Sequence, residues 1–77
     1  MRKETKLTDI PESMLQLIEP ANRGGKTIYA LRDGHNIGQV KTAHVFDGMY
    51  RIYLESDDRF GEYRYTIEQA EKIYLII

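Results

Sequence analysis

The sequence predicts a mainly β domain (α+β). It reads as a short N-terminal helix, then a strongly bent antiparallel sheet of four or five strands, with a short helical turn before the last strand. Three observations predict it. Asp33-Gly34 and Asp47-Gly48 are the dipeptide favoured at tight hairpins. Side chains alternate with period two from Met49 to Leu54 and again from Glu62 to Ile67. The chain closes on an apolar run rich in β-branched residues, Ile73 to Ile77.

The elements follow in order. Residues 1–7 are polar and read as a flexible tail before a single small domain over residues 8–77. Asp9 is placed to cap a helix whose first turn holds Pro11 and Glu12. Met14, Leu15, Leu17 and Ile18 form its apolar stripe, and Pro20 ends it. A helix of two or three turns needs tertiary packing to persist. Ala21 to Gly25 is a loop, and the first strand runs from Lys26 to Leu31. A second strand covers Ile37 to Phe46, a third Met49 to Glu55, and a fourth follows the loop Ser56 to Gly61. Thr66 and Gln69 fit a capping box, and the last strand spans Lys72 to Ile77.

Register follows from the turns. A two-residue turn at Asp47-Gly48 pairs Phe46 with Met49, Val45 with Tyr50 and Ala43 with Ile52 on an apolar face. His44 then falls opposite Arg51, and Thr42 opposite Tyr53. Continued unbroken, this register drives Lys41 into the core, so a bulge is expected at Lys41-Thr42 to re-phase Val40. In the next hairpin, pairing Leu54 with Tyr63 sets Ile52 against Tyr65 and Tyr50 against Ile67. The other face then sets Tyr53 opposite Arg64 and Arg51 opposite Thr66.

The stretch from Lys26 to Ile77 resembles a small SH3-like or Tudor-like barrel. The segments that carry the resemblance are Asp47 to Leu54, Tyr63-Arg64-Tyr65, the turn from Thr66 to Ala70 and the strand Lys72 to Ile77. It is a resemblance of pattern, and it transfers no functional residue. The alternative is an open α+β sheet with the N-terminal helix across one face. A fold of this kind does not fix a function.

Composition bounds the function classes. The chain has 77 residues, enough for one domain, and a net charge of −1. Dedicated DNA binders carry a clear basic excess. Charge is uneven: residues 1–41 hold seven Lys/Arg against five Asp/Glu, and residues 55–71 hold six Asp/Glu against two Arg. There are no cysteines, which removes disulfides and cysteine-based zinc sites and points to the cytoplasm. No apolar run reaches the ~18 residues of a membrane helix, so no membrane partner is expected.

Chemical motifs are weak. Gly24-Gly25-Lys26-Thr27 ends like a phosphate loop, but Pro20 stands where the pattern needs glycine and a strand follows instead of a helix. His35 and His44 lack the converging partners of a metal site. Glu55, Asp57 and Asp58 read as a solvated turn, and Ser13 and Ser56 lack a nucleophile's context. The expectation is a protein that is not an enzyme, with no cofactor and no metal.

The remaining signal is aromatic and cationic. Four of the six tyrosines lie between Tyr50 and Tyr65. Tyr50, Tyr63 and Tyr65 are assigned to the core, and Tyr53 to the outer face with His44, Arg51 and Arg64. Tyr and Arg favour the centres of protein interfaces. His44, Arg51, Tyr53 and Arg64 are therefore the candidate partner-binding residues of a protein-interaction module, a small regulator or inhibitor of a larger bacterial or phage protein. The same residues suit RNA or single-stranded DNA, with Arg2, Lys3, Lys6, Arg23 and Lys26 adding charge. A symmetric homodimer is a third reading.

Overall fold

The computed structural model describes residues 3–57 and 59–77. Met1, Arg2 and Asp58 lie outside the described residues, and with them the charge assigned to Arg2 and the turn role assigned to Asp58. The chain runs β1 (Glu4–Lys6), a 3-10 turn (Leu7–Asp9), α1 (Glu12–Leu15), α2 (Ile18–Arg23), β2 (Tyr29–Arg32), β3 (His35–Phe46), β4 (Met49–Ser56), β5 (Arg59–Thr66), α3 (Ile67–Ala70) and β6 (Ile73–Ile76). All six strands join one antiparallel sheet in the order β1-β6-β2-β3-β4-β5. No ladder joins β1 to β5 among the described residues. The protein is mainly β, as its alternation predicts.

The middle hairpins obey their turn residues. Asp33, Gly34, Asp47 and Gly48 all have positive φ, the backbone that a two-residue turn between right-twisted strands requires. The β3–β4 register is the expected one from Phe46↔Met49 through Thr42↔Tyr53, and it shifts at Lys41 so that Val40 meets Leu54. The bulge frees Lys41 to reach Glu55, Nζ to Oε2 at 3.1 Å, while Val40 stays fully buried. α2 pins this irregularity. The Asn22 carboxamide donates to the carbonyls of Val40 at 2.9 Å and Lys41 at 3.2 Å. The Thr66–Gln69 capping box is present in both directions.

Elsewhere the structure corrects the sequence reading. The expected tail enters the sheet: Glu4–Lys6 pairs with β6, and Leu7 is fully buried. The sheet thus has six strands in place of four or five. The expected single helix is two short ones. Asp9 belongs to the preceding 3-10 turn, and Pro11 occupies the N-cap of α1. Pro20 sits in the first turn of α2, where its missing N–H has no helical acceptor to lose. It therefore permits the helix it was expected to end. Phe46 follows the partly buried Val45 and points outward, and Ile67 opens α3, exposed, instead of facing Tyr50.

The core is one cluster. Leu7, Ile10, Leu15 and Ile18 from the N-terminal turns meet Ile28, Ala30, Val40, Ala43, Tyr50, Ile52, Leu54, Ala70, Ile73 and Leu75. One side of the sheet is thereby filled, and the outer side of β3, β4 and β5 is left to solvent.

Candidate binding surface on the outer sheet face

The β4–β5 hairpin decides how the candidate residues meet. Ser56 pairs with Arg59, so the connection is two residues and not the longer loop expected. Phe60 and Gly61 enter the strand. The ladder slides by two residues: Leu54 faces Gly61, Ile52 faces Tyr63 and Tyr50 faces Tyr65. A slide of two keeps every side chain on its expected face and changes every partner.

Two rows cross the outer face. His44, Arg51 and Arg64 stand side by side on β3, β4 and β5, and Thr42, Tyr53 and Glu62 form the next row. The expected pairs Tyr53–Arg64 and Arg51–Thr66 are replaced by Tyr53–Glu62 and Arg51–Arg64. His44 opposite Arg51 stands as expected. All four candidates thus share one surface, with Tyr53 one pair along from the other three.

Their contacts differ. Arg64 Nε lies 3.0 Å from Glu62 Oε1, and its side chain is well exposed. Arg51 is half-buried, with its guanidinium carbon 5.4 Å from the centroid of the Phe46 ring, within the range of a cation–π contact. Its Nε is buried without a hydrogen-bond partner. Tyr53 meets Phe60, ring centroids 6.2 Å apart.

Phe46 and Phe60 are the residues that sequence reasoning missed. They are the only two phenylalanines in the chain, and they are 64% and 68% exposed. Alternation back from Met49 puts Phe46 in phase with His44. A two-residue turn after Ser56 puts Phe60 in phase with Glu62 and Arg64. Both signals were present.

On the opposite side, burial raises the Tyr65 hydroxyl above its ordinary pKa, with Arg32 pulling it down and Tyr63 adding to the rise. The hollow lined by Tyr29, Asn36, Gly38, Gln39, Glu55, Ser56 and Asp57 holds its two carboxylates at an open rim. Among the described residues no group of three or more His, Asp or Glu is arranged to hold a metal ion. Nor is any helix among them long and apolar enough to cross a membrane. The chain matches no protein-family model, and comparison with curated proteins and with solved structures finds no significant match.

Proposed function

We propose that this chain is a non-enzymatic protein-interaction module that docks a protein partner on the outer face of β3, β4 and β5. The observation that carries the reading is the exposure of both phenylalanines on the face that holds Arg51, Tyr53 and Arg64. Burying a phenylalanine contributes about 1.5–3 kcal/mol. A domain this small has little core to spare, yet it leaves both outside. Scattered apolar residues on a surface are ordinary; here each exposed phenylalanine is matched to a candidate residue, Phe46 to Arg51 at one end of the face and Phe60 to Tyr53 at the other. Aromatic residues and arginine are the types that dominate interface centres.

The meander from β2 to β5, the helical turn α3 and the return of β6 beside β2 support the SH3-like reading of the fold. The proposed role is a small cytoplasmic regulator or inhibitor of a larger bacterial or phage protein. The test is affinity capture from source lysate, with nuclease, by the wild type and by the double variant Phe46→Ser/Phe60→Ser. A protein retained by the wild type and lost by a variant with unchanged circular dichroism supports the reading. Equal retention by both removes this face.

A second reading, binding of RNA or single-stranded DNA, is favoured by the exposed rings of Phe46, Tyr53 and Phe60 on the face that also holds the opposed arginines Arg51 and Arg64. Bases stack on such rings and arginine meets phosphate. It predicts recovery that collapses with nuclease and affinity that falls steeply with salt.

A further inference from the structure

The two edges of the sheet are unequal. β1 is three residues long, and β5 is eight residues with no strand on its outer side among the described residues. Proteins usually blunt such an edge by shortness, charge or cover. We propose that β5 pairs antiparallel with β5 of a second copy of this chain, about a two-fold axis at Tyr63, joining the two sheets into one.

The hydrogen-bonding phase comes from the hairpin. A two-residue turn closes on a hydrogen-bonded pair, and bonded pairs then alternate. Ser56↔Arg59 is that closing pair. Arg59, Gly61, Tyr63 and Tyr65 therefore bond towards β4, and Phe60, Glu62, Arg64 and Thr66 aim their backbone groups outward. The Thr66 N–H is taken by Gln69 Oε1 at 2.9 Å. Phe60, Glu62 and Arg64 are left to receive a strand.

Charge then selects the register. Only registers that set outward-facing residues opposite each other make a ladder. Centred on Glu62, the pairing puts Glu62 against Glu62 of the second copy. Centred on Arg64, it puts Arg64 against Arg64. Like charges directly opposite destabilise a sheet, and opposite charges stabilise it. Centred on Tyr63, Glu62 faces Arg64 of the second copy, twice by symmetry. This register also places Gly61 opposite the second copy's Tyr65, an aromatic ring over an edge glycine. It brings Phe60 opposite Thr66 of the second copy, in the row that continues to Met49 and Phe46. Within one copy Arg64 has Arg51 on its β4 side and Glu62 at 3.0 Å along its own strand, and the pairing adds the second copy's Glu62 on its open side.

The test is sedimentation equilibrium of the full chain and three variants, each checked by circular dichroism. The wild type is expected to show a concentration-dependent dimer. Glu62→Arg alone or Arg64→Glu alone makes two like-charged pairs, weakening association roughly tenfold or more. The swap Glu62→Arg/Arg64→Glu restores the dimer. The chain has no cysteine, so Tyr63→Cys adds a second reading that does not depend on the charge variants folding. Facing residues at the axis lie close enough for a disulfide, and oxidation should cross-link this variant into a dimer. A wild type that stays monomeric at its highest soluble concentration overturns the proposal. A dimer indifferent to both single reversals, or a Tyr63→Cys variant that does not cross-link, overturns it equally.

Discussion

Arg51 and Arg64 face each other directly across β4 and β5, two cations on one rung of the sheet. Glu62 pairs with Arg64, and the Phe46 ring lies against Arg51. Directly opposed like charges cost stability in a sheet, and an exposed ion pair returns little of it. Arg51→Met, which keeps the aliphatic stem over Phe46, is therefore expected to leave stability unchanged or raise it by up to about 1 kcal/mol. Urea denaturation measures this. Partner capture by the same variant should fall if the arginine is held there for binding.

The two phenylalanines and Ile52 should separate binding from folding. Phe46→Ser and Phe60→Ser remove exposed rings and are expected to shift stability by about 0.5 kcal/mol or less each. Ile52 has no exposed surface, and Ile52→Ala is expected to cost about 2–5 kcal/mol. Thermal unfolding of the three variants, beside partner capture, checks the contrast. Destabilisation by Phe46→Ser as large as that by Ile52→Ala would mean that the ring is structural.

Gly38 is held by the close approach of β4. Its φ is +137°, and a Cβ there would stand 3.0 Å from the Glu55 carbonyl oxygen. Gly38→Ala is expected to cost about 1–3 kcal/mol through backbone strain. Gly61→Ala, with nothing within 4 Å of the added carbon and an ordinary φ, is expected to be nearly neutral. Denaturant midpoints of the pair distinguish a strand that tolerates side chains from one that does not.

Tyr65 predicts an alkaline limit. Burial raises its pKa above the unfolded value of 10.0, so the native state keeps a proton that the unfolded state releases. Stability is then unaffected below that value, falls as pH rises from it towards the folded pKa, and levels off beyond. Tyr65→Phe cannot ionise and should flatten this part of the profile. Melting temperatures across the alkaline range provide the check. Identical slopes for wild type and variant would place the alkaline loss elsewhere.

What the sequence by itself determined was local. Asp33-Gly34 and Asp47-Gly48 specify their turns because few dipeptides accept positive φ twice. From the second turn, alternation alone yields the β3–β4 register, and the cost of burying Lys41 yields the bulge. The capping box follows from two side chains three residues apart. What only the tertiary structure decided was non-local. β1 lies along β6 because Leu7 is anchored in the core; nothing in Glu4 to Lys6 announces a strand at the far end of the chain. Pro20 stands inside a helix because Leu15 and Ile18 dock on the sheet with a break between them. The β4–β5 turn is tight enough to bring Phe60 into the ladder, and from Ser56 to Gly61 no single turn signal excludes a longer loop. That turn sets Arg51 against Arg64 and leaves Phe60 in the open beside Tyr53. The candidate residues could thus be assigned to one face from alternation, but their partners depended on a slide of two residues. Such a slide leaves the burial pattern of a two-faced strand unchanged.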